Sequence, residues 1–253
     1  AMSELINALA VIPARYASTR FPGKPLALIQ GKTMLQRVYE QVKKSHVKKI
    51  IIATDHDDIE THAKTFNAEV MMTRADHVSG TDRIAEVIQR IQQRFDVVVN
   101  IQGDEPFIHP EQIDQIINAF NDPTTDIATM VKPVSGADEY HSADVVKAVL
   151  AINGNALYFS RQPLPYFRKG FDEKKLQQNA YKHLGMYAYR TEVIKKIAQL
   201  PVAPLEEAEQ LEQLRWLQNG YTIRAIVTST ETIAVDTSDD LKRAVQFLNK
   251  NNV

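Results

Sequence analysis

A chain of 253 residues, 44% hydrophobic and 24% charged, is long enough for one large globular domain, or for a main domain with a smaller lobe. A formal net charge of −1 excludes a generally basic nucleic-acid surface, so any nucleotide must meet a local cluster of cations. The lack of cysteine excludes disulfides, thiolate catalysis and Cys-ligated zinc, and no apolar run approaches the roughly 18 residues of a membrane span. In chain order, Ala1-Met2-Ser3 reads as a cloning remnant before a natural methionine, and no signal peptide is visible, so the expectation is a cytoplasmic protein with no membrane partner. Leu9–Ile12 reads as a buried strand ended by Pro13, and a helical pattern resumes near Thr33. Lys48–Ala53 reads as a strand, His56–Phe66 and Thr81–Phe95 as helices, Asp96–Ile101 as a strand, Pro110–Phe120 as a helix and Ile127–Lys132 as a strand. This alternation predicts an α/β fold with a mostly parallel sheet flanked by helices. After Pro133 the rhythm changes. Val145–Ile152 and Ala156–Ser160 read as a hairpin around Asn153-Gly154-Asn155, Gln162–Leu176 as irregular, and Tyr181–Arg190 as a strand. Leu205–Gln218 and Ser238–Asn249 read as helices, with the strand Ile223–Thr228 between them. The expected organisation is one domain over 1–253 with an inserted, more antiparallel lobe near 133–190.

The loop after the first strand carries the chemistry. Arg15, Arg20 and Lys24 fall within a few residues of one another, and the loop closes in the turn Pro22-Gly23-Lys24-Pro25. A strand, a cationic loop and a helix together converge open amides and positive charge on one anion, as phosphate sites do. Gly31-Lys32-Thr33 looks like the end of a Walker A motif, but Leu26 stands where that motif needs its first glycine. No Gly-x-Gly-x-x-Gly follows the first strand, which argues against an ordinary dinucleotide fold.

Two carboxylates are candidates to join this loop. Asp104, in Gln102-Gly103-Asp104-Glu105-Pro106, follows a strand beside a glycine, and a hard carboxylate at a phosphate site suits Mg²⁺. Its plain alternative is a turn residue capping the helix after Pro110. Asp236 precedes a helix, where an Asp is ordinarily an N-cap, but Thr237 with Asp240 already forms a capping box and leaves Asp236 free to face a site. His77–Arg83 opens a helix, and Ser79 and Gly80 offer a hydroxyl and an amide to a base edge or a simple cap. Arg161 and Arg168 offer fixed cations to a carboxylate. Strand alternation puts His183, Gly185 and Tyr187 on one face. Asp55-His56-Asp57-Asp58 resembles a metal cluster but reads as acidic residues at a helix N-terminus. The seven histidines lack His-Glu-x-x-His spacing, so zinc hydrolysis has no support.

Pro13-Ala14-Arg15 through Gly23-Lys24-Pro25-Leu26 resembles the signature of the 3-deoxy-manno-octulosonate cytidylyltransferase (CMP-Kdo synthetase) family. The resemblance continues through Gln102–Pro106, His77–Arg83, Tyr158–Arg161, His183–Tyr187, Pro204–Glu206, Leu211–Arg215 and Val235–Ser238, with Ala234 where the family often has Gly. It implies a nucleotide-diphospho-sugar transferase-like fold, CTP and 3-deoxy-manno-octulosonate (Kdo) as substrates, release of pyrophosphate, a role in lipopolysaccharide synthesis and a homodimer. It implies Mg²⁺ on Asp104 and Asp236, catalytic roles for Arg15 and Lys24, and Ala14 and Arg20 at the nucleotide. It places Ser79 and Gly80 at the cytosine, and Gln102, Arg161, Arg168, His183, Tyr187, Glu212 and Gln213 around the acidic sugar. Taken singly, a strand His is more often structural and Glu212 reads as a solvated helix charge. Rival readings are an acylneuraminate cytidylyltransferase, an isoprenoid or inositol-type nucleotidyltransferase, and a nucleotide sensor without activity.

Overall fold

The structure, a computed structural model, describes residues 5–230 and 233–251; the Ala1-Met2-Ser3 start lies outside them. In chain order the elements are β1 (Ala8–Pro13), β2 (Leu28–Ile29), β3 (Lys32–Thr33), α1 (Met34–Lys43), β4 (Lys49–Thr54), α2 (Asp57–Lys64), β5 (Glu69–Met72), α3 (Gly80–Arg90), β6 (Val97–Asn100) and α4 (Pro110–Asn118). They continue with β7 (Ile127–Pro133), α5 (Ala137–His141), β8 (Lys147–Leu150), β9 (Ala156–Ser160), α6 (Glu173–Asn179), β10 (Tyr181–Arg190), α7 (Thr191–Ile197), α8 (Pro204–Glu209), α9 (Gln213–Gln218), β11 (Ile223–Val227) and α10 (Ser238–Asn251). The described residues form two compact units: the chain up to Asp114 with the segment from 233 onward, and the stretch from Gln115 to 230.

The first unit is a parallel sheet in the order β6-β1-β4-β5. Its strands carry continuous apolar runs, and Leu9 to Ile12 and Val97 to Val99 are fully buried, as strands covered on both faces require. Thr33, His56 and Ser79 each cap a following helix by accepting a backbone N–H, from Gln36, Asp58 and Asp82. The structure agrees with the rejection of a Walker A loop and departs from expectation in two features. The Walker-like Gly31-Lys32-Thr33 is the return of a β2–β3 hairpin turning at Gln30 and Gly31, both at positive φ (46° and 78°), so it has no part in a phosphate loop. The edge strand β5 was not foreseen. The helix expected to reach Phe95 stops at Arg90, because Asn7 clasps the segment beyond it: its side chain donates to Arg94 O (2.8 Å) and its carbonyl accepts from Asp96 N (2.9 Å). At the C-terminal end of the chain, Leu241, Ala244, Val245 and Leu248 of α10 pack with Val235 against Ile29, Met34 and Phe107.

The second unit is a mixed sheet: β11 runs parallel to β7, while β7–β10, β10–β8 and β8–β9 are antiparallel. The β8–β9 hairpin turns at Asn153-Gly154-Asn155, with Gly154 at φ 87° donating to Ala151 O. Leu205–Gln218 is not one helix. Gln210 takes the left-handed conformation (φ 56°) and separates α8 from α9, and Arg215 spans the break with two bonds to Glu206 (2.6 and 2.8 Å). The segment expected to be irregular up to Leu176 already contains the start of α6, capped by Asp172. The helix α7 was not foreseen.

Candidate functional site

The site residues of the first unit gather beyond the carboxyl ends of β1, β4 and β6, where open α/β sheets bind ligands. Ala14 is buried, and its amide extends the ladder to Ala53 O (2.9 Å), so that N–H is not available to a phosphate. The chain then lifts off. The amides of residues 15–20 take no backbone partner among the described residues, and Arg15 and Arg20 are exposed and unpaired. The loop closes on itself: Gly23 N donates to Tyr16 O (2.9 Å) and Phe21 N to Ser18 Oγ (3.3 Å). Lys24 follows in a single 3₁₀ turn.

Lys24 Nζ lies 3.5 Å from Asp104 Oδ2 and 3.5 Å from Asp236 Oδ1, with side-chain exposures of 21%, 22% and 51%. Two backbone features bring together carboxylates so far apart in sequence. Val235 N donates to Asp104 O (2.7 Å), and buried Val235 fastens this segment to the α10 cluster. Gly103 allows the turn before Asp104 to cross β1 closely, since a Cβ there would lie 3.2 Å from Pro13 O. The expected capping box is present: Asp240 N donates to Thr237 Oγ1 (3.1 Å) and Asp240 Oδ2 accepts from Thr237 N (3.1 Å), leaving the Asp236 carboxylate to the site. Burial pushes the Asp104 carboxyl up to about 6; Lys24 opposes that rise and the adjoining Asp236 adds to it. One lysine therefore does not neutralise the pair. Two adjoining hard carboxylates short of positive charge are a donor set that fits Mg²⁺, which takes one or two carboxylates and completes its shell with phosphate oxygens and water. Among the described residues no cluster of three or more His, Asp or Glu could hold a metal on its own, and the Asp55–Asp58 run forms the His56-capped start of α2.

Ser79 caps α3 by accepting from Asp82 N (3.2 Å), which leaves its hydroxyl hydrogen unspent. A Cβ on Gly80 would lie 3.5 Å from Asn100 Nδ2 and 3.6 Å from Pro13 Cγ, so the start of α3 is seated beside the ends of β1 and β6. Two residues not singled out in the sequence hold this loop down. Arg83 is buried and donates to Thr73 Oγ1 (2.6 Å) and Arg74 O (3.0 Å). Glu86 accepts from Arg74 N (2.9 Å) and Arg90 (2.6 Å) and pairs with His77 Nε2 (2.8 Å). Burial opposes the Glu86 charge, but the Arg74 amide, His77 and Arg90 more than offset it and hold the carboxyl at about 2. Gln102 closes the turn before Asp104, accepting from Glu105 N (3.3 Å).

The remaining candidates lie in the second unit. A bulge in β10 between Leu184 and Tyr187 changes the simple alternation, yet His183 and Tyr187 remain together, their rings 5.3 Å apart. Gly185 falls in the bulge and is exposed. Phe159, Tyr189 and Trp216 complete an aromatic cluster around these two rings. Burial pushes the His183 imidazole down to about 4, so it is neutral at pH 7. The Thr129 hydroxyl donates to Met186 O (2.7 Å) and therefore accepts from His183 Nε2 (2.9 Å), leaving Nδ1 as an acceptor. With Thr129 so engaged, the buried Tyr187 hydroxyl finds no well-formed hydrogen bond, and burial, Tyr189 and Glu212 raise its pKa. Arg161 donates to the carbonyls of Glu209 (2.8 Å), Ala143 (3.1 Å) and Gln210 (3.4 Å) and so organises the break before Glu212 and Gln213. Three of its five N–H groups are used. Gln213 is buried and Glu212 half-buried, not the solvated charge its sequence context suggests, while Arg168 is exposed and has no partner among the described residues.

Comparison with known proteins shows the family of the chain. A family model described as Cytidylyltransferase matches residues 9–233. The chain is similar to a 3-deoxy-manno-octulosonate cytidylyltransferase from Parabacteroides distasonis, 51% identical over 96% of this chain and 99% of the relative. It is likewise similar to one from Bacteroides thetaiotaomicron, 53% identical over 95% and 97%. A solved CMP:2-keto-3-deoxy-manno-octonic acid synthetase complexed with CTP superposes with a TM-score of 0.90 at 38% identity, covering 97% of this chain and 99% of that one. A 4-diphosphocytidyl-2C-methyl-D-erythritol synthase from Anaerococcus prevotii, 12% identical over 96% of this chain and 99% of that one, shares the fold alone at a TM-score of 0.65. With a nucleotidyltransferase fold along nearly its whole length and relatives of one name at about half identity, the chain belongs to the 3-deoxy-manno-octulosonate cytidylyltransferase family of nucleotidyltransferases.

Proposed function

We propose that the protein transfers CMP from CTP to the anomeric hydroxyl of Kdo and releases pyrophosphate. The observation that carries this reading is the Asp104–Lys24–Asp236 group at the mouth of a parallel sheet, beside two unpaired arginines. Arg15, Arg20 and the free amides of the loop bind the triphosphate. Lys24 lies where charge builds up as the bond from the α-phosphorus to the bridging oxygen breaks and the bond to the sugar oxygen forms. Such transfers depend on positioning and charge neutralisation more than on covalent work by the protein. Asp104 and Asp236 would hold Mg²⁺, which supplies Lewis-acid polarisation of phosphate oxygens. Ser79, with its unspent hydroxyl hydrogen, and Gly80 read the base, and the seating of α3 fixes their position.

The second unit supplies groups suited to an acidic polyol. His183 Nδ1 accepts from a sugar hydroxyl, the Tyr187 hydroxyl gains the partner it lacks, and Glu212 and Gln213 add polar contacts. The two N–H groups left on Arg161, with Arg168, meet the carboxylate. A site that leaves polar groups unpaired in the absence of substrate hydroxyls rejects sugars that lack them. The family also suggests a homodimer, cytoplasmic work and a place in lipopolysaccharide synthesis. No helix among the described residues is long and apolar enough to cross a membrane.

The test is product analysis by mass spectrometry after incubation with CTP, Mg²⁺ and, in parallel, Kdo, N-acetylneuraminate or a neutral hexose phosphate. The expected product is CMP-Kdo alone. A CMP-neuraminate product, or equal turnover of the neutral sugar, contradicts the acceptor assignment but leaves the nucleotidyltransferase.

A further inference from the structure

We propose that Tyr16 and His56 form an aromatic clamp that fixes the cationic loop, and so act as positioning residues for Lys24. The Tyr16 and His56 rings stack with centroids 4.2 Å apart and planes 17° from parallel. The Tyr16 ring also lies against Gly23, where a Cβ would lie 3.2–3.4 Å from Cε2, Cζ and Oη. Tyr16 O also accepts from Gly23 N (2.9 Å), so backbone and ring grip the same residue. Gly23 holds φ at 69°, a left-handed conformation suited to glycine, and Lys24 begins its 3₁₀ turn from there, with Leu26 N donating back to Gly23 O (2.9 Å). The height of Gly23 over the sheet thus sets the starting point of the lysine that reaches both carboxylates.

His56 supplies the fixed end of the clamp. Its backbone N–H donates to Thr54 Oγ1 at the end of β4 (3.3 Å), and its Nδ1 accepts from Asp58 N (3.1 Å) to cap α2. An accepting Nδ1 carries no proton, so the cap fixes both the tautomer and the plane of the ring on which Tyr16 lies. Between Ala14 and Pro25 the side chains of Arg15, Tyr16, Ala17, Thr19 and Arg20 are exposed, and Phe21 is half-buried. The stack ties Tyr16, in the exposed part of this loop, to the residue that follows β4. Stacked rings constrain geometry at modest energetic cost, which suits a loop that must stay open to solvent and to ligand.

This proposal rests on the loop binding the triphosphate. His56 has two duties, and substitutions separate them. His56→Asn keeps a strong N-cap but removes the stack; His56→Phe keeps a stacking ring but removes the cap. Tyr16→Phe keeps the ring and Tyr16→Ala deletes it. The readouts are the CTP Kd by calorimetry, KM and kcat from pyrophosphate release, and Tm, with Lys24→Ala as a reference. Tyr16→Ala and His56→Asn are expected to raise the CTP Kd and KM by about 5- to 10-fold, with the KM for the acceptor sugar and Tm little changed. Tyr16→Phe and His56→Phe are expected to stay within about twofold of the parent for CTP, His56→Phe at a lower Tm from loss of the cap. Parent-like CTP binding by His56→Asn and Tyr16→Ala, beside weakened binding by Lys24→Ala, overturns the clamp and leaves the loop's role intact. Parent-like CTP binding by Lys24→Ala as well overturns both.

Discussion

In the first unit, among the described residues, Arg15 and Arg20 are exposed and unpaired, and Lys24 meets two carboxylates at 3.5 Å. In the second, Tyr187 is buried, His183 is kept neutral, and Arg161 is bound to three backbone carbonyls. The contrast follows the chemistry expected of each ligand. A triphosphate brings its own charge, so cations can wait in water, where they cost the fold little, and be aligned by a shaped loop. A polyol brings only hydroxyls, and these compete poorly with water unless the protein groups that meet them are already oriented and partly dry. The two regions should therefore fail differently when cut.

The largest loss is expected from Asp104→Asn. It keeps shape but removes a carboxylate from the pair, and kcat should fall by about a thousandfold or more, ~4 kcal/mol of barrier. Because burial and Asp236 already disfavour the Asp104 charge, Tm should hold or rise. A drop in Tm with parent turnover would make Asp104 a structural residue. Next, Lys24→Ala should lower kcat/KM for CTP by about a hundredfold, ~2.7 kcal/mol, with Tm within about 2 °C of the parent. In the second unit, Tyr187→Phe should raise the KM for the sugar by about tenfold and leave that for CTP unchanged. It should also leave Tm unchanged or higher, since it removes a buried hydroxyl that lacks a good partner. A fall in Tm with normal sugar kinetics would erase the proposed contrast.

How much of this was legible in the chain depended on the reach of each contact. The strand Leu9–Ile12, the N-cap at Ser79 and the Thr237–Asp240 box are local patterns, and the sequence displays them. The box was enough to show that capping does not require the Asp236 carboxylate. What stayed hidden was set by distant or unmarked partners. Arg161 spends its donors on carbonyls near residue 209, and a carbonyl leaves no trace in residue type. Thr129 is one more β-branched residue in an apolar strand until the fold brings it to His183. The Leu205–Gln218 run has helical composition throughout, and the tertiary pull of Arg161 and the Glu206–Arg215 pair breaks it at Gln210. Tyr16 and His56 are 40 residues apart on two different βα turns, and nothing local links them. Glu86 had a visible clue that was not used: it lies four residues before Arg90, within one helix face.

An effect on stability, not on turnover, should come from that network. Glu86→Gln is expected to cost about 2 kcal/mol at pH 7, or about 4–8 °C in Tm, by loosening the His77–Gly80 loop. Because the folded state lowers the Glu86 pKa from an ordinary 4.5 to about 2, its contribution is fully present above about pH 4.5 and is lost as pH falls through about 2. Melting curves of parent and variant should therefore converge across that window. A constant gap would assign the loss to packing instead of charge.

The measurement that tests the central claim most directly is Mg²⁺-dependent pyrophosphate release from CTP, with and without Kdo, by the parent protein and by Asp104→Asn. The account predicts release by the parent only when Kdo is present, and a loss of about a thousandfold in the variant. Release without Kdo, no release by the parent, or parent-like release by Asp104→Asn would contradict it.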